Sequence, residues 1–342
     1  MSQFPTQSTA RAAIGLLLLG CLAPALPQTV IKLGTLAPEG SPWHESLQSM
    51  GERWRKISGG QVKVVIYPGG VLGDEPDLVN KMRIGQIQAA GLSGAGLSGI
   101  EPGVMALQIP MMFDSYQELD YVRERVAPHL EKMMEARGYL VLNWGDVGWV
   151  HFFTNRPATR LGEMRNMKLF TWAGDNDTLE LWKANGFRAV PLAATDILTG
   201  LQTGLIDAVP TTPLYALLNQ SFGIARNMID VKWAPLIGAT VISRRVWESL
   251  PAAQRPAMLD AAREAGVGMR DAIRKMGDEA IATMQKRRLQ VIPVDAATVA
   301  EWRRDAEGVY PKLRGSTIPA DLFDEVRKLR DDYRASSAGA RK

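Results

Sequence analysis

The sequence predicts an α/β protein, a mostly parallel sheet with helices on its faces, continued by a helical C-terminal region. Three observations predict it. Short apolar runs alternate with segments of helical periodicity from residue 30 to about residue 250. Two strand–helix–strand units fall within residues 30–92, the pattern of parallel strands joined by crossover helices. After Pro251 the chain carries charged, helical periodicity almost to its end.

The elements follow in order. Residues 30–35 read as the first strand, ending at Pro38-Glu39-Gly40. Ser41-Pro42 opens a helix, a cap followed by proline in the first turn. Trp43, Leu47, Met50, Trp54 and Ile57 recur at steps of four, three, four and three, so they share one face and form a core stripe, until Gly59-Gly60 stops the helix. A strand at 61–67, a turn at Pro68-Gly69-Gly70, a helix at 75–84 ended by Gly85 and a strand at 87–92 complete the second unit. A longer helix at 116–136 is closed by Gly138, and strands are expected at 139–144, 150–154 and 167–171. Leu179 to Ala184 lies in a helix capped by Gly186, and Thr195 opens a helix that Gly204 ends. Strands follow at 205–209 and 236–243. The helical remainder runs to about Arg334, broken at 289–294, and residues 335–342 read as a frayed, disordered tail. There is no internal repeat and no long linker. About 315 residues suffice for two lobes, between which the chain crosses more than once.

Composition bounds the function. Residues 1–25 read as a signal peptide: a polar start with one positive charge at Arg11, an apolar stretch at 14–22 and Ala23-Pro24-Ala25 before the cleavage point. Cys21, the only cysteine, allows two outcomes. Lipoprotein cleavage would make it the lipidated first residue, and cleavage after Ala25 would remove it. The expected location is the periplasm in either case, free or anchored through Cys21. The folded body has no free thiol, which excludes disulfides, cysteine metal sites and a cysteine nucleophile. The formal net charge of +4 falls to +3 without Arg11, with signs interspersed and no basic stripe, so no nucleic-acid partner is expected. No later stretch is apolar enough for a membrane span.

No catalytic constellation is visible. His44, placed near the exposed edge of a helix, His129 and His151 have no metal-ligand partner at helical spacing. Gly91-Leu92-Ser93-Gly94-Ala95-Gly96 superficially resembles a nucleotide loop, but no Gly-Lys-Ser/Thr follows, and it reads as a close-packed strand-to-loop turn. It is only half of a nucleophile elbow. The expectation is a protein that is no enzyme, with no catalytic residue, metal or cofactor. Nine tryptophans, several beside glycines, prolines or strand ends, point to ligand binding in a crevice.

Four stretches carry a family resemblance. Pro68-Gly69-Gly70-Val71-Leu72-Gly73-Asp74-Glu75 with Lys81-Met82-Arg83-Ile84-Gly85 resembles the "P-x-G-x-L-G-D … R-x-G" segment of DctP-type solute-binding proteins of TRAP transporters. Ile109-Pro110-Met111-Met112-Phe113 is similar to that family's "LPFLF" step. His151-Phe152-Phe153-Thr154-Asn155 matches its crossover strand, and Gly200-Leu201-Gln202-Thr203-Gly204-Leu205-Ile206-Asp207 is close to its "ALQTGVVDG" signature. The resemblance implies a two-lobed periplasmic-binding-protein fold, type II-like, that closes on a small-molecule ligand. It implies small and large integral membrane subunits of an ion-gradient-driven transporter as partners and, for one branch, a tetratricopeptide-repeat lipoprotein. On this frame the first lobe takes residues 29–149 and 238–270, the second 150–237 and 271–334, with hinges near Val150 and Ala239.

The departures from the family pattern define the expected ligand. The family's carboxylate-clamping arginine, in a "GLKIR" context, aligns with Phe170, and a second arginine, in "NGxRHF", aligns with Val150. The "QENP" loop is replaced by Val209-Pro210-Thr211-Thr212-Pro213, and an aromatic position aligns with Ala194. A neutral, apolar or aromatic ligand is therefore expected, gripped by Trp149, Phe170 and Trp172 and oriented by Thr211, Thr212 and Tyr215. Trp43, Ser93 and Trp233 complete the candidate ligand-binding residues. Glu75 reads as a first-turn charge on its helix. Alternatives are a ligand or lipid carrier, or a sensor partner, uncoupled from import; an organic-acid binder with a relocated cation; and an exported hydrolase, which would need an activated nucleophile.

Overall fold

The computed structural model describes residues 28–339, so the expected leader, Cys21 and residues 340–342 lie outside the described residues. The chain begins with β1 (Thr29–Thr35), α1 (Pro42–Ile57), β2 (Val62–Tyr67), α2 (Glu75–Arg83), β3 (Ala89–Ser93) and the short α3 (Gly94–Ser98). It continues through α4 (Tyr116–Ala136) into β4 (Tyr139–Trp149). Local chemistry explains the starts: Ser41 accepts from the His44 amide with Pro42 in the first turn, and Asp74 forms a capping box with Asp77. Trp43, Leu47, Met50 and Trp54 are all buried along α1, as their spacing predicts.

The second group comprises β5 (His151–Thr154), β6 (Lys168–Trp172), α5 (Asn176–Ala184), β7 (Arg188–Leu192), α6 (Ile197–Gln202), β8 (Ala208–Thr211), α7 (Pro213–Leu218) and β9 (Asn227–Ile229). The chain then returns through β10 (Pro235–Ser243) and α8 (Arg244–Ser249) to α9 (Arg255–Lys286), β11 (Gln290–Ile292), α10 (Ala296–Leu313) and α11 (Ala320–Gly339). Two sheets result, ordered β2-β1-β3-β10-β4 and β11-β9-β5-β8-β6-β7, one in each lobe. The parallel β1, β2 and β3 are joined by β10, which enters antiparallel between β3 and β4.

The lobes are tied at several places. At the first crossing, the Val150 amide donates to Ala234 O at 2.8 Å and the Trp233 amide to Val150 O at 2.9 Å, so the outgoing and returning strands hold each other. Helix α9, roughly 48 Å long at 1.5 Å per residue, buries Met258, Ala261 and Ala262 in the first-lobe core and Met284 in the second. Helix α10 buries Trp302 against Phe152 and Trp233 of the second lobe. The expectation that residues 271–334 belong to the second lobe fails for the last helix. Leu322, Phe323 and Val326 of α11 pack with Leu119, Val122 and Leu130 in the first-lobe core, because that apolar stripe covers α4. The helix also runs through residues 335–339, where a frayed tail was expected.

Candidate ligand-binding cleft

Strands β1, β3, β6 and β8 end at the gap between the lobes, the place where an α/β sheet presents side chains to a ligand. A cleft opens there, with ≈ 730 Å³ of empty space counting the part open to solvent. The first lobe supplies Thr35, Trp43, Glu75, Ser93 and Asp146, and the second Trp172, Thr211 and Tyr215. Thr240 of β10 and Met269 of α9 close the back.

Two carboxylates dominate the electrostatics. Glu75, the first residue of α2, is 2% exposed and accepts from the Ser93 amide, the Ser93 hydroxyl and the Gly96 amide, each at 2.7 Å. Burial nevertheless pushes its carboxyl up to about 7, with a smaller push from Asp74. Asp146 is neutralised: Arg123 lies at 2.5 Å and Arg274 at 2.7 Å, and Asp120 bridges both guanidiniums. Its backbone oxygen accepts from the Trp43 indole at 3.1 Å, which fixes that ring in the wall. The Tyr215 hydroxyl is pushed up to about 12, first by burial and then by the charges of Glu75 and Asp74. No lysine or arginine lines this cleft among the described residues.

The two lobes touch beside the cleft. The carboxylate of Asp74 accepts from the Ala194 amide of the second lobe at 2.9 Å, and Leu36 joins the second-lobe cluster that holds Phe153 and Phe170. Gly70, at φ 74°, faces Thr195 with no room for a side chain.

A second space, ≈ 2280 Å³ and open to solvent, adjoins the cleft and shares Trp172, Thr211, Tyr215 and Leu236 with it. Its walls include Phe170, Trp182 and Trp233, with Arg165 and Lys312 among its charged residues. Trp182 stacks on Trp233 at 5.9 Å between ring centres.

The structure therefore brings Trp43, Ser93, Trp172, Thr211 and Tyr215 to the inner cleft, and Phe170 and Trp233 to the adjoining groove. Trp149 and Thr212 line neither. Beyond Gly148, at φ 127°, Trp149 turns into the first-lobe core and packs 5.4 Å from Tyr116, and Thr212 is fully buried against Gly148. Glu75 is a cleft residue rather than only a helix-terminal charge. Its burial comes from α3 folding over it, a tertiary event its own neighbours in sequence do not signal. His44, expected near an exposed helix edge, is 5% exposed, and its Nδ1 accepts from the Gly40 amide. His151 is buried with Nδ1 at 3.2 Å from Ile229 O, and His129 sits 3.5 Å from Glu325.

The family description "Bacterial extracellular solute-binding protein, family 7" (DctP) matches residues 33–315, most of the chain. The chain belongs to this family. The solute-binding protein is 25% identical over 276 residues to an uncharacterised Haemophilus influenzae protein, covering 79% of this chain and 83% of the relative. It is 21% identical over 269 residues to the 2,3-diketo-L-gulonate-binding periplasmic protein YiaO of Escherichia coli, covering 77% and 80%. Its fold matches the sugar-acid-binding protein DctPAm of Advenella mimigardefordensis, in complex with galactonate, at TM-score 0.83 with 18% identity, covering 90% of this chain and 99% of the other. It matches a TRAP periplasmic solute-binding protein of Xanthobacter autotrophicus, with bound β-D-galacturonate, at TM-score 0.82 with 19% identity, covering 88% and 99%. Members of this family bind small solutes outside the cytoplasm and work with TRAP membrane subunits; they are not enzymes. No helix among the described residues is long and apolar enough to cross a membrane.

Proposed function

We propose that this solute-binding protein captures a neutral, mainly apolar or aromatic organic molecule and delivers it to the membrane pair of a TRAP transporter. The observation that carries the reading is the lining of the inner cleft, where two carboxylates and no cation meet tryptophan, tyrosine and aliphatic side chains. A bidentate arginine supplies roughly 1.5–3 kcal/mol per charge-assisted hydrogen bond to a carboxylate. Here that term is missing, and a ligand carboxylate would lose its hydration beside Glu75. Phe170 and Val150, at the positions aligned with the family's arginines, lie in apolar clusters instead.

A second reading has its own support: similar structures hold sugar acids, and the adjoining groove carries Arg165 and Lys312, which would serve a relocated clamp. The deciding experiment is mass spectrometry of what co-purifies, followed by calorimetry with galactonate and galacturonate. The expected result is a retained neutral molecule at near one-to-one and no heat with either acid. A retained sugar acid or dicarboxylate, or submillimolar binding of one, overturns the neutral-ligand reading. A tetratricopeptide-repeat lipoprotein partner and an anchor at Cys21 belong to the same proposal, tested by co-purification from membranes and by the mass of the mature N-terminus.

A further inference from the structure

Helix α5 is unusual for a surface helix. An amphipathic helix normally buries its apolar stripe, yet no residue of α5 is buried, although Leu179, Leu181 and Trp182 lie on it. Leu181 and Trp182 face the open groove, together with Val309 and Leu313 of α10. The groove is also continuous in its walls with the inner cleft: Trp172, Thr211, Tyr215 and Leu236 line both. Trp172 ends its strand at intermediate exposure, leaning on Phe170 with ring centres 5.7 Å apart. It stands between an inner chamber that holds Glu75, Ser93 and Thr240 among apolar walls and an outer one whose walls include Trp182 and Trp233.

We infer that the cleft and the groove form one site divided by Trp172, and that its ligand is an elongated amphipathic molecule. Its hydroxyl or carbonyl end sits in the inner cleft, and its apolar or aromatic body passes Trp172 to cover the half-buried apolar face of α5. A compact six-carbon solute would fill the inner cleft and leave Leu181, Trp182 and Val309 wet. The ring stack of Trp182 on Trp233 offers the flat wall that an aromatic or chain-like body packs against. This inference rests on the neutral-ligand reading above and adds length to it.

A homologous series of n-alkanols from butanol to dodecanol, titrated against the full protein and followed by tryptophan fluorescence and calorimetry, tests it. Burial of each further methylene should raise affinity about three- to four-fold, and the gain should continue to the long members. In Leu181→Trp, which fills the groove from a helix with no buried residue, the gain should stop at a shorter chain than in the wild type. Affinity that levels off at the same short chain in the wild type and in Leu181→Trp sinks the elongated ligand but leaves the neutral cleft intact. Failure of every alkanol, with a sugar acid binding instead, overturns both. The wild-type series alone decides if the variant does not fold.

Discussion

Glu75 turns the cleft into a pH-sensitive element. Its carboxyl titrates at about 7 in the folded chain against 4.5 in its ordinary state. Between those values the unfolded chain is ionised while the folded one holds the proton, so Glu75 lowers stability as pH rises from 4.5 to 7. The full effect is on the order of 3 kcal/mol above that window. His151 works in the opposite sense: burial holds it neutral below its usual 6.5, which costs stability as pH falls. The wild-type profile therefore mixes the two, and the difference between wild type and Glu75→Gln isolates the carboxyl. Urea melts at pH 5 and pH 8 should show Glu75→Gln gaining relative to wild type at the higher pH, and a pH-independent difference would contradict the assignment. A second residue-scale outcome concerns Phe170. At 1% exposure among Phe153, Ile197 and Val209, Phe170→Arg would bury a guanidinium without an acid, costing roughly 3–5 kcal/mol. The sequence pattern alone makes this substitution look like a restored clamp, whereas the packing makes it a folding defect, readable as a lost or strongly lowered thermal transition.

The short helix α3 shows what elements ask of single atoms. A methyl group at Gly94 would collide with the Gln108 amide group, and one at Gly96 would sit 2.8 Å from the Glu75 carboxylate. Gln108 in turn accepts from the Ile237 amide of β10 at 2.8 Å, so displacing it orphans a buried donor. Gly94→Ala should cost about 3 kcal/mol of strain and lost hydrogen bonding, lowering the urea midpoint at unchanged slope. The glycine run is thus a packing device, legible in the sequence because glycine pairs mark close approach. Helices α1, α2 and α4 were equally legible, since Ser41, Gly85 and Gly138 each mark an end. Other elements were not. Gly145 and Gly148, with the buried polar Asn143 and Asp146, interrupt the apolar run that would have revealed all of β4. Strand β8 runs to Thr211 through Pro210, past its expected end at 209, while Leu205 is 48% exposed. The insertion of β10 between β3 and β4 carries no local signal, because strand partners are chosen by the whole sheet. The same limit hid Trp149 and Glu75: their neighbours in space come from α4 and α3.

At the scale of the molecule, the bond from Ala194 to Asp74 acts as a latch across the cleft. Its loss, worth about 1 kcal/mol, should weaken ligand binding about five-fold by favouring the open arrangement. Asp74→Ala should therefore scatter X-rays as a more extended particle without ligand and return to the wild-type profile when saturated. Identical profiles for both proteins in both states would show that the latch contributes nothing to closure. The position of β10 has a different kind of consequence. Until residues 235–243 are available, β3 and β4 each keep a bare edge, and α11 must still arrive to cover α4. Neither lobe is a stretch of chain that could be cut out and folded alone. The first lobe is therefore completed late in the chain, by residues 235–243 in its sheet and by Leu322, Phe323 and Val326 over α4.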